Sequence, residues 1–171
     1  MPTVSVTTTY LELPTRERFR PAFSADPELR IIEAREPLPA FYRFLYRSVG
    51  EPYHWTDRLA WSDERLGSYL ARPSVAVLVL YLRGTPAGYI ELNHESEEPG
   101  TEVAYFGLFP PFHGRGYGRH LLSTGVQRAY ADGARRVWVH TCTLDGPYAL
   151  ANYQARGFTP YRVITHERCI P

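Results

Sequence analysis

The sequence predicts an α+β fold: a mixed, mostly antiparallel central sheet of about six to seven strands flanked by about four helices. Three observations carry this. Val75–Leu82 is a nearly continuous apolar run of strand length, which marks a strand buried on both faces. Two further strand-like stretches follow at hairpin spacing: Ala87–Asn93 after the Arg83-Gly84-Thr85-Pro86 turn, and Thr101–Phe109 after the polar loop Glu95–Gly100. The apolar period then changes. Leu122, Val126, Ala129 and Tyr130 form one helical stripe, and strand Arg136–Cys142 comes next. A chain of 171 residues suits one core, so residues 1–171 are expected to form a single domain, with 1–35 as an N-terminal strand extension.

The remaining elements follow from local chemistry. Val4–Leu13 is rich in β-branched residues, reads as a strand and ends at Pro14. Leu29–Ala34 suits a second strand, and the segment between the two reads as a loop or another edge strand. Pro37–Val49 carries Phe41, Phe44, Leu45 and Val49 at helical spacing, with Gly50 and Pro52 as stops. The aromatic-dense segment Tyr53–Trp61 separates it from a helix capped by Ser62 and carrying Leu66, Tyr69 and Leu70, which stops before Pro73. Gly133 suits the residue just past the long helix. Asp145-Gly146-Pro147 opens a short helix that Gly157 closes, and Phe158 onward is a last strand pair or an extended tail.

Composition narrows the function classes. With 44% hydrophobic and 22% charged residues the chain is globular rather than disordered. A net charge of +1 gives no general drive towards nucleic acid or membrane, so neither is expected as a partner. No stretch is long enough to span a bilayer and no basic-then-apolar leader opens the chain, which makes the cytoplasm the expected location. All nineteen basic residues are arginine, so the chain holds no acceptor lysine of its own. Cys142 and Cys169 lack metal-ligand spacing; reduced thiols and no metal are expected. An N-terminal edge strand could pair two chains into a homodimer.

The segment Glu102–Leu122 is the most informative. A strand enters a loop in which Gly114, Gly116 and Gly118 alternate with Arg115, Tyr117 and Arg119, and a helix follows. Glycines let the backbone approach a ligand, and the unpaired N–H groups of a helix start attract anions. With Arg115 and Arg119 on either side of Gly118, the loop reads as a pyrophosphate cradle.

Two motifs make the second half, from about Val75 to Tyr161, similar to the GNAT superfamily of acyl-CoA-dependent N-acetyltransferases. One is His113-Gly114-Arg115-Gly116-Tyr117-Gly118 after a strand, where the family pattern is Gln/Arg-x-x-Gly-x-Gly/Ala; His113 is the departure. The other is Ala149-Leu150-Ala151-Asn152-Tyr153-Gln154-Ala155-Arg156-Gly157-Phe158, matching a small residue, then tyrosine, then Gly-Phe. The resemblance implies a single N-acetyltransferase domain of the GNAT fold and acetyl-CoA as acyl donor. It also implies direct transfer to a primary amine of a small molecule or peptide.

What the resemblance implies for single residues is as follows. Glu102 is the first choice for the base that deprotonates the amine, and Glu91 on the preceding strand is the second; Glu91 also counts among the residues expected near the amine. Tyr153 corresponds to the acid that protonates the leaving thiolate, and Asn152 contacts the cofactor. Phe106-Gly107-Leu108 is the expected bulge where two strands splay around the cofactor arm; a glycine inside a strand supports this independently. Tyr53–Trp61 falls in the loop over the acceptor site, so Trp55, Trp61 and Asp57 are expected on the amine side, and Tyr105 of the strand before the glycine loop is expected there too. Acidic residues Glu91, Glu95, Glu97, Glu98 and Glu102 precede basic Arg115, Arg119, Arg128, Arg135 and Arg136, which suits a cationic amine on one side and phosphates on the other. A non-catalytic acyl-CoA sensor on the same fold is the alternative. A Rossmann fingerprint and a Walker loop are excluded by spacing and by the missing lysine.

Overall fold

Each strand and helix begins and ends close to the punctuation read above. The computed structural model describes residues 1–170, and its elements in chain order are β1 (Thr3–Leu13), β2 (Leu29–Glu33), α1 (Pro39–Gly50), α2 (Asp63–Leu70), β3 (Val75–Leu82), β4 (Thr85–Asn93), β5 (Thr101–Leu108), α3 (Tyr117–Ala131), β6 (Val137–Cys142), α4 (Ala149–Ala155) and β7 (Thr159–Cys169). Ser62 caps α2, its Oγ accepting from the Arg65 N–H at 3.1 Å. The short helix α4 starts two residues beyond Pro147, and the C-terminal part is one long strand rather than a strand pair or tail.

The seven strands form one sheet in the order β2-β3-β4-β5-β6-β1-β7, antiparallel except for the pair β5·β6. Buried side chains alternate between its two faces. Ala76, Leu78 and Leu80 of β3 pack with Leu121, Leu122, Val126 and Ala129 of α3, while Val77 and Val79 pack with Tyr42, Tyr46 and Val49 of α1 and Leu66 of α2. A strand covered on both faces has no polar side, hence the unbroken apolar run.

Two features of the sheet differ from expectation. First, β1 is not an edge strand: over Thr8–Glu12 it pairs with β6 on one side and β7 on the other, so that stretch has no open edge for a second chain. The sheet ends instead at β2 and β7, and β7 is exposed along nearly its whole length. Second, the bulge in β5 is at Ala104, where the register with β4 shifts from Glu91↔Tyr105 to Leu92↔Val103. Gly107 has a different reason to be glycine: a Cβ there would collide with the side chain of Val49, so its absence lets α1 lie close against β5.

The shortest strand pairing is the parallel one. Strands β5 and β6 run parallel but bond only at Thr101↔Val137 and Glu102↔Trp138, and beyond Glu102 they part. The extra residue at Ala104 adds twist just past that point.

Candidate active site

A cavity of about 1110 Å³ occupies the gap between the parted strands. One end is formed by the glycine loop and the start of α3. Gly116 takes the left-handed conformation (φ 78°) that turns the loop into the helix. No side chain caps α3, and no acidic residue is in its first turn, so its first amides and its positive dipole end are left for an anion. Gly114, Gly116, Gly118 and Arg119 line this end. His113 lines it too, and its Nε2 is 3.2 Å from the Leu108 carbonyl, a bond that pins the loop back onto β5.

Arg115 and Tyr117 do not join them. Arg115 points to solvent, and Tyr117 is buried with its hydroxyl donating to Asp26 at 2.9 Å, tying α3 to the loop before β2. Of the loop's side chains, His113 and Arg119 line the cavity and Arg115 and Tyr117 do not, so what the loop turns to this end is mostly backbone.

The middle of the cavity is walled by Phe106, Gly107 and Leu108 of β5 and by Asn152 and Tyr153 of α4. Tyr153 packs edge-on against Phe106 and Phe158, with ring centroids 6.0 and 5.8 Å away. Burial raises the pKa of its phenol, and the charge of Asp145 adds to this, so the hydroxyl stays protonated at neutral pH. Cys142 is also in the wall, and burial likewise raises its thiol, which keeps it from acting as a ready nucleophile.

At the other end Glu102 faces the cavity with 14% of its side chain exposed. Its pKa is pushed up to about 7, first by burial and then by the negative charge of Glu91 and Glu97. His140 Nε2 is 3.9 Å from Glu102 Oε1. Burial lowers the pKa of this imidazole, so it stands beside Glu102 as a mostly neutral ring at neutral pH. Trp55, Asp57 and Tyr105 complete the rim; Asp57 is 73% exposed and its carboxylate is 3.9 Å from Arg168 of β7.

Glu91 and Trp61 are elsewhere. Glu91 is fully buried and does not line the cavity. Its Oε1 accepts from the Tyr42 hydroxyl, and its Oε2 accepts from Tyr69 at 2.6 Å and from Arg58 Nη2 at 3.0 Å. Both oxygens are engaged inside the protein, and no part of the carboxylate reaches the cavity where an amine would sit. Trp61 lies over the Arg58 and Arg65 guanidiniums, 4.5 and 4.0 Å from its ring.

Arg58 is the residue the sequence reading passed over. It lies under Tyr69 and Tyr105 as well as Trp61, bonds Glu91, and reaches the cavity wall. An arginine inside an aromatic-dense segment was the available signal. Asp145 was also missed. It accepts from Thr141 Oγ1 at 2.6 Å and from the Cys142 N–H at 2.9 Å, so it turns the chain out of β6 and lines the rim.

Residues 38–158 match the Acetyltransferase (GNAT) family. No curated protein matches the chain. Among solved structures, an aminoglycoside acetyltransferase from an uncultured soil metagenomic sample superposes with a TM-score of 0.64 at 20% identity, covering 78% of this chain and 90% of its own. A GCN5-related N-acetyltransferase from Kribbella flavida gives 0.66 at 17% identity over 96% of this chain, and a functionally unknown conserved protein from Staphylococcus epidermidis gives 0.66 at 14% over 96%. The chain spans 58% of the Kribbella protein and 61% of the Staphylococcus protein. At these identities the likeness is one of fold.

Proposed function

The chain belongs to the Acetyltransferase (GNAT) family, and on that footing we propose that it moves the acetyl group of acetyl-CoA directly onto a primary amine of a small molecule or peptide. Glu102 is the base in this reading and Tyr153 the acid. One observation carries it: β5 and β6 part immediately past Glu102, and the resulting cavity joins an uncapped helix start to a carboxyl with a pKa near 7.

Bound acetyl-CoA would supply an activated acetyl thioester. The amides at the start of α3 and the Arg119 guanidinium would hold its diphosphate. Asn152 would contact the arm. Past Glu102, β5 has lost its partner on the β6 side, so its backbone around Phe106–Leu108 has N–H and C=O groups to offer the arm and the oxyanion.

An alkylamine has a pKa of about 10.4 and must shed a proton before it can attack. A carboxylate with a pKa near 7, in contact with the cavity yet largely shielded, suits that step. Asp57 and the faces of Trp55 and Tyr105 would attract the ammonium form to the rim. Tyr153, kept protonated by burial, would donate to the departing sulfur. Glu91 holds Arg58 and the loop that carries Asp57. A cytoplasmic location fits a consumer of acetyl-CoA, and among the described residues no helix is long and apolar enough to cross a membrane.

The test is release of free CoA thiol from acetyl-CoA across a panel of polyamines, amino sugars, amino acids and short peptides. Amino sugars are included because the soil-derived structural neighbour is an aminoglycoside acetyltransferase. Turnover with at least one amine is expected. Tight acetyl-CoA binding with no turnover across the panel would instead make the chain an acyl-CoA sensor, and no binding at all would refute the cradle.

A further inference from the structure

We infer that Arg156, acting with Arg119, forms a subsite for a phosphate monoester, the 3′-phosphate of coenzyme A; this rests on the cofactor reading above. Arg156 directly follows α4. Its Nε and Nη1 are buried and have no hydrogen-bond partner among the described residues. The other inward-lying arginines are arranged differently: Arg58, Arg128 and Arg136 each bond a carboxylate. A guanidinium is always charged and offers five donors, so buried donors of one left unpaired have a partner to find.

The position of Arg156 says what that partner is. Asn152 is one turn earlier on the same face of α4, and its Nδ2 is 3.9 Å from where a Cβ on Gly118 would be. That face of α4 therefore looks onto the start of α3, where Arg119 lines the cavity. The backbone around Arg156 is held, its carbonyl accepting from the Arg20 N–H at 2.8 Å. Burial and the like charge of Arg119 both lower the pKa of Arg156, and no carboxylate is among the groups acting on it. Water could satisfy the idle donors but would leave two cations side by side; an anion answers both needs.

The anion is a second one, distinct from the diphosphate. The start of α3 already serves the diphosphate, and Arg156 is about 6 Å further along α4 than Asn152. Coenzyme A carries one other phosphate, the monoester on its ribose, and a dianion matches a pair of arginines better than a lone one does.

Calorimetric titration of the intact protein with coenzyme A and with dephospho-coenzyme A separates the possibilities. The wild type is expected to bind coenzyme A at least tenfold more tightly. Arg156→Gln should shrink that preference below threefold and leave dephospho-coenzyme A affinity unchanged, because only the monoester contact is lost. Arg119→Gln, which keeps Arg156 in place, should weaken both ligands, because Arg119 also faces the diphosphate, and should reduce the preference as well. Equal affinities in the wild type would overturn the inference. So would an Arg156→Gln variant that weakens both ligands alike, since Arg156 would then serve a shared part of the ligand or the fold. Failure of the wild type to bind either ligand would instead strike the cofactor reading on which the subsite depends.

Discussion

Glu91 and Glu102 project from neighbouring strands onto the same face of the sheet, for Glu102 pairs across from Asn93, two residues beyond Glu91. Their carboxylates nevertheless meet opposite environments. Glu91 is sealed beneath α1 and α2 with two tyrosine hydroxyls and an arginine on its oxygens. Glu102 is where β5 leaves β6 and looks into the cavity. The buried charge of Glu91 then helps raise the pKa of Glu102. The two carboxylates thus differ in surroundings: one is tied into the packing of α1 and α2, and the other keeps contact with the cavity.

The pH profile of kcat/KM should therefore show an acidic limb centred near 7, the pH at which Glu102 loses its proton. Activity rises with pH through that limb because only the carboxylate can accept a proton from the amine. Glu102→Gln should remove the limb and lower kcat on the order of 10²–10⁴-fold, with acetyl-CoA affinity by calorimetry unchanged. A limb that survives in the variant would mean that another group is the base.

Arg58 and Glu91 should behave as a buried pair whose members cannot be removed singly. Arg58→Met leaves Glu91 with two tyrosine donors and no cation, and it should lower unfolding stability by about 3–5 kcal/mol. Glu91→Gln leaves the guanidinium without its carboxylate under the rings of Trp61, Tyr69 and Tyr105, with a similar cost. The double variant should be more stable than the sum of the two losses predicts, because no lone charge remains. Urea unfolding of the three variants measures this, and strictly additive losses would show that the two residues do not act as a pair. As a positioning effect, Glu91→Gln should raise KM for the amine while leaving acetyl-CoA affinity intact.

Local elements were legible in the sequence because they depend on residues near one another. Ser62 caps α2, and the apolar run Val75–Leu82 is the β3 strand to the residue. Adjacency across the sheet was not legible in the same way. Nothing in Val4–Leu13 says that it inserts between β6 and β7, because Thr8↔Cys142 and Thr8↔Ile164 are pairings over more than a hundred residues. The glycine loop was legible as the link from strand to helix, yet not which of its side chains face the cavity; Tyr117 bonds Asp26 and Arg115 is exposed to solvent. Glu91 and Glu102 look alike in sequence, and only the tyrosines of α1 and α2 tell them apart. Arg58 and Arg156 were overlooked because a charge is usually solvated, and their burial arises only from packing.

Tyr153→Phe isolates the proposed acid. Tyr153 is buried, but its hydroxyl bonds to no group among the described residues, so removing it breaks no internal hydrogen bond. The melting temperature should change by less than about 2 °C, in keeping with a stability change under roughly 0.5 kcal/mol. Any large fall in kcat is then a loss of chemistry rather than of fold, and a fall of about tenfold or more is expected. Full activity in a folded Tyr153→Phe protein would return this residue to the core alone.

Gly118→Asp separates the fold of the loop from its use. Gly118 is in the first turn of α3, where an acidic side chain is favoured by the helix dipole. A Cβ there meets only ordinary contacts, with Leu108 at 3.7 Å and Asn152 at 3.9 Å, so the substitution fits the backbone. The folded protein should thus keep or gain stability, by up to about 1 kcal/mol. Ligand binding should respond in the opposite direction. The new carboxylate would take the amides that the diphosphate needs and set a negative charge against it, and the lining position of Gly118 leaves the diphosphate no way around it. Coenzyme A affinity should fall at least a hundredfold, about 2.7 kcal/mol, while the melting temperature of the free protein holds or rises. Unchanged affinity in this variant would place the diphosphate somewhere other than the start of α3, and a lowered melting temperature would show that the first turn of α3 does not tolerate the charge its dipole should welcome.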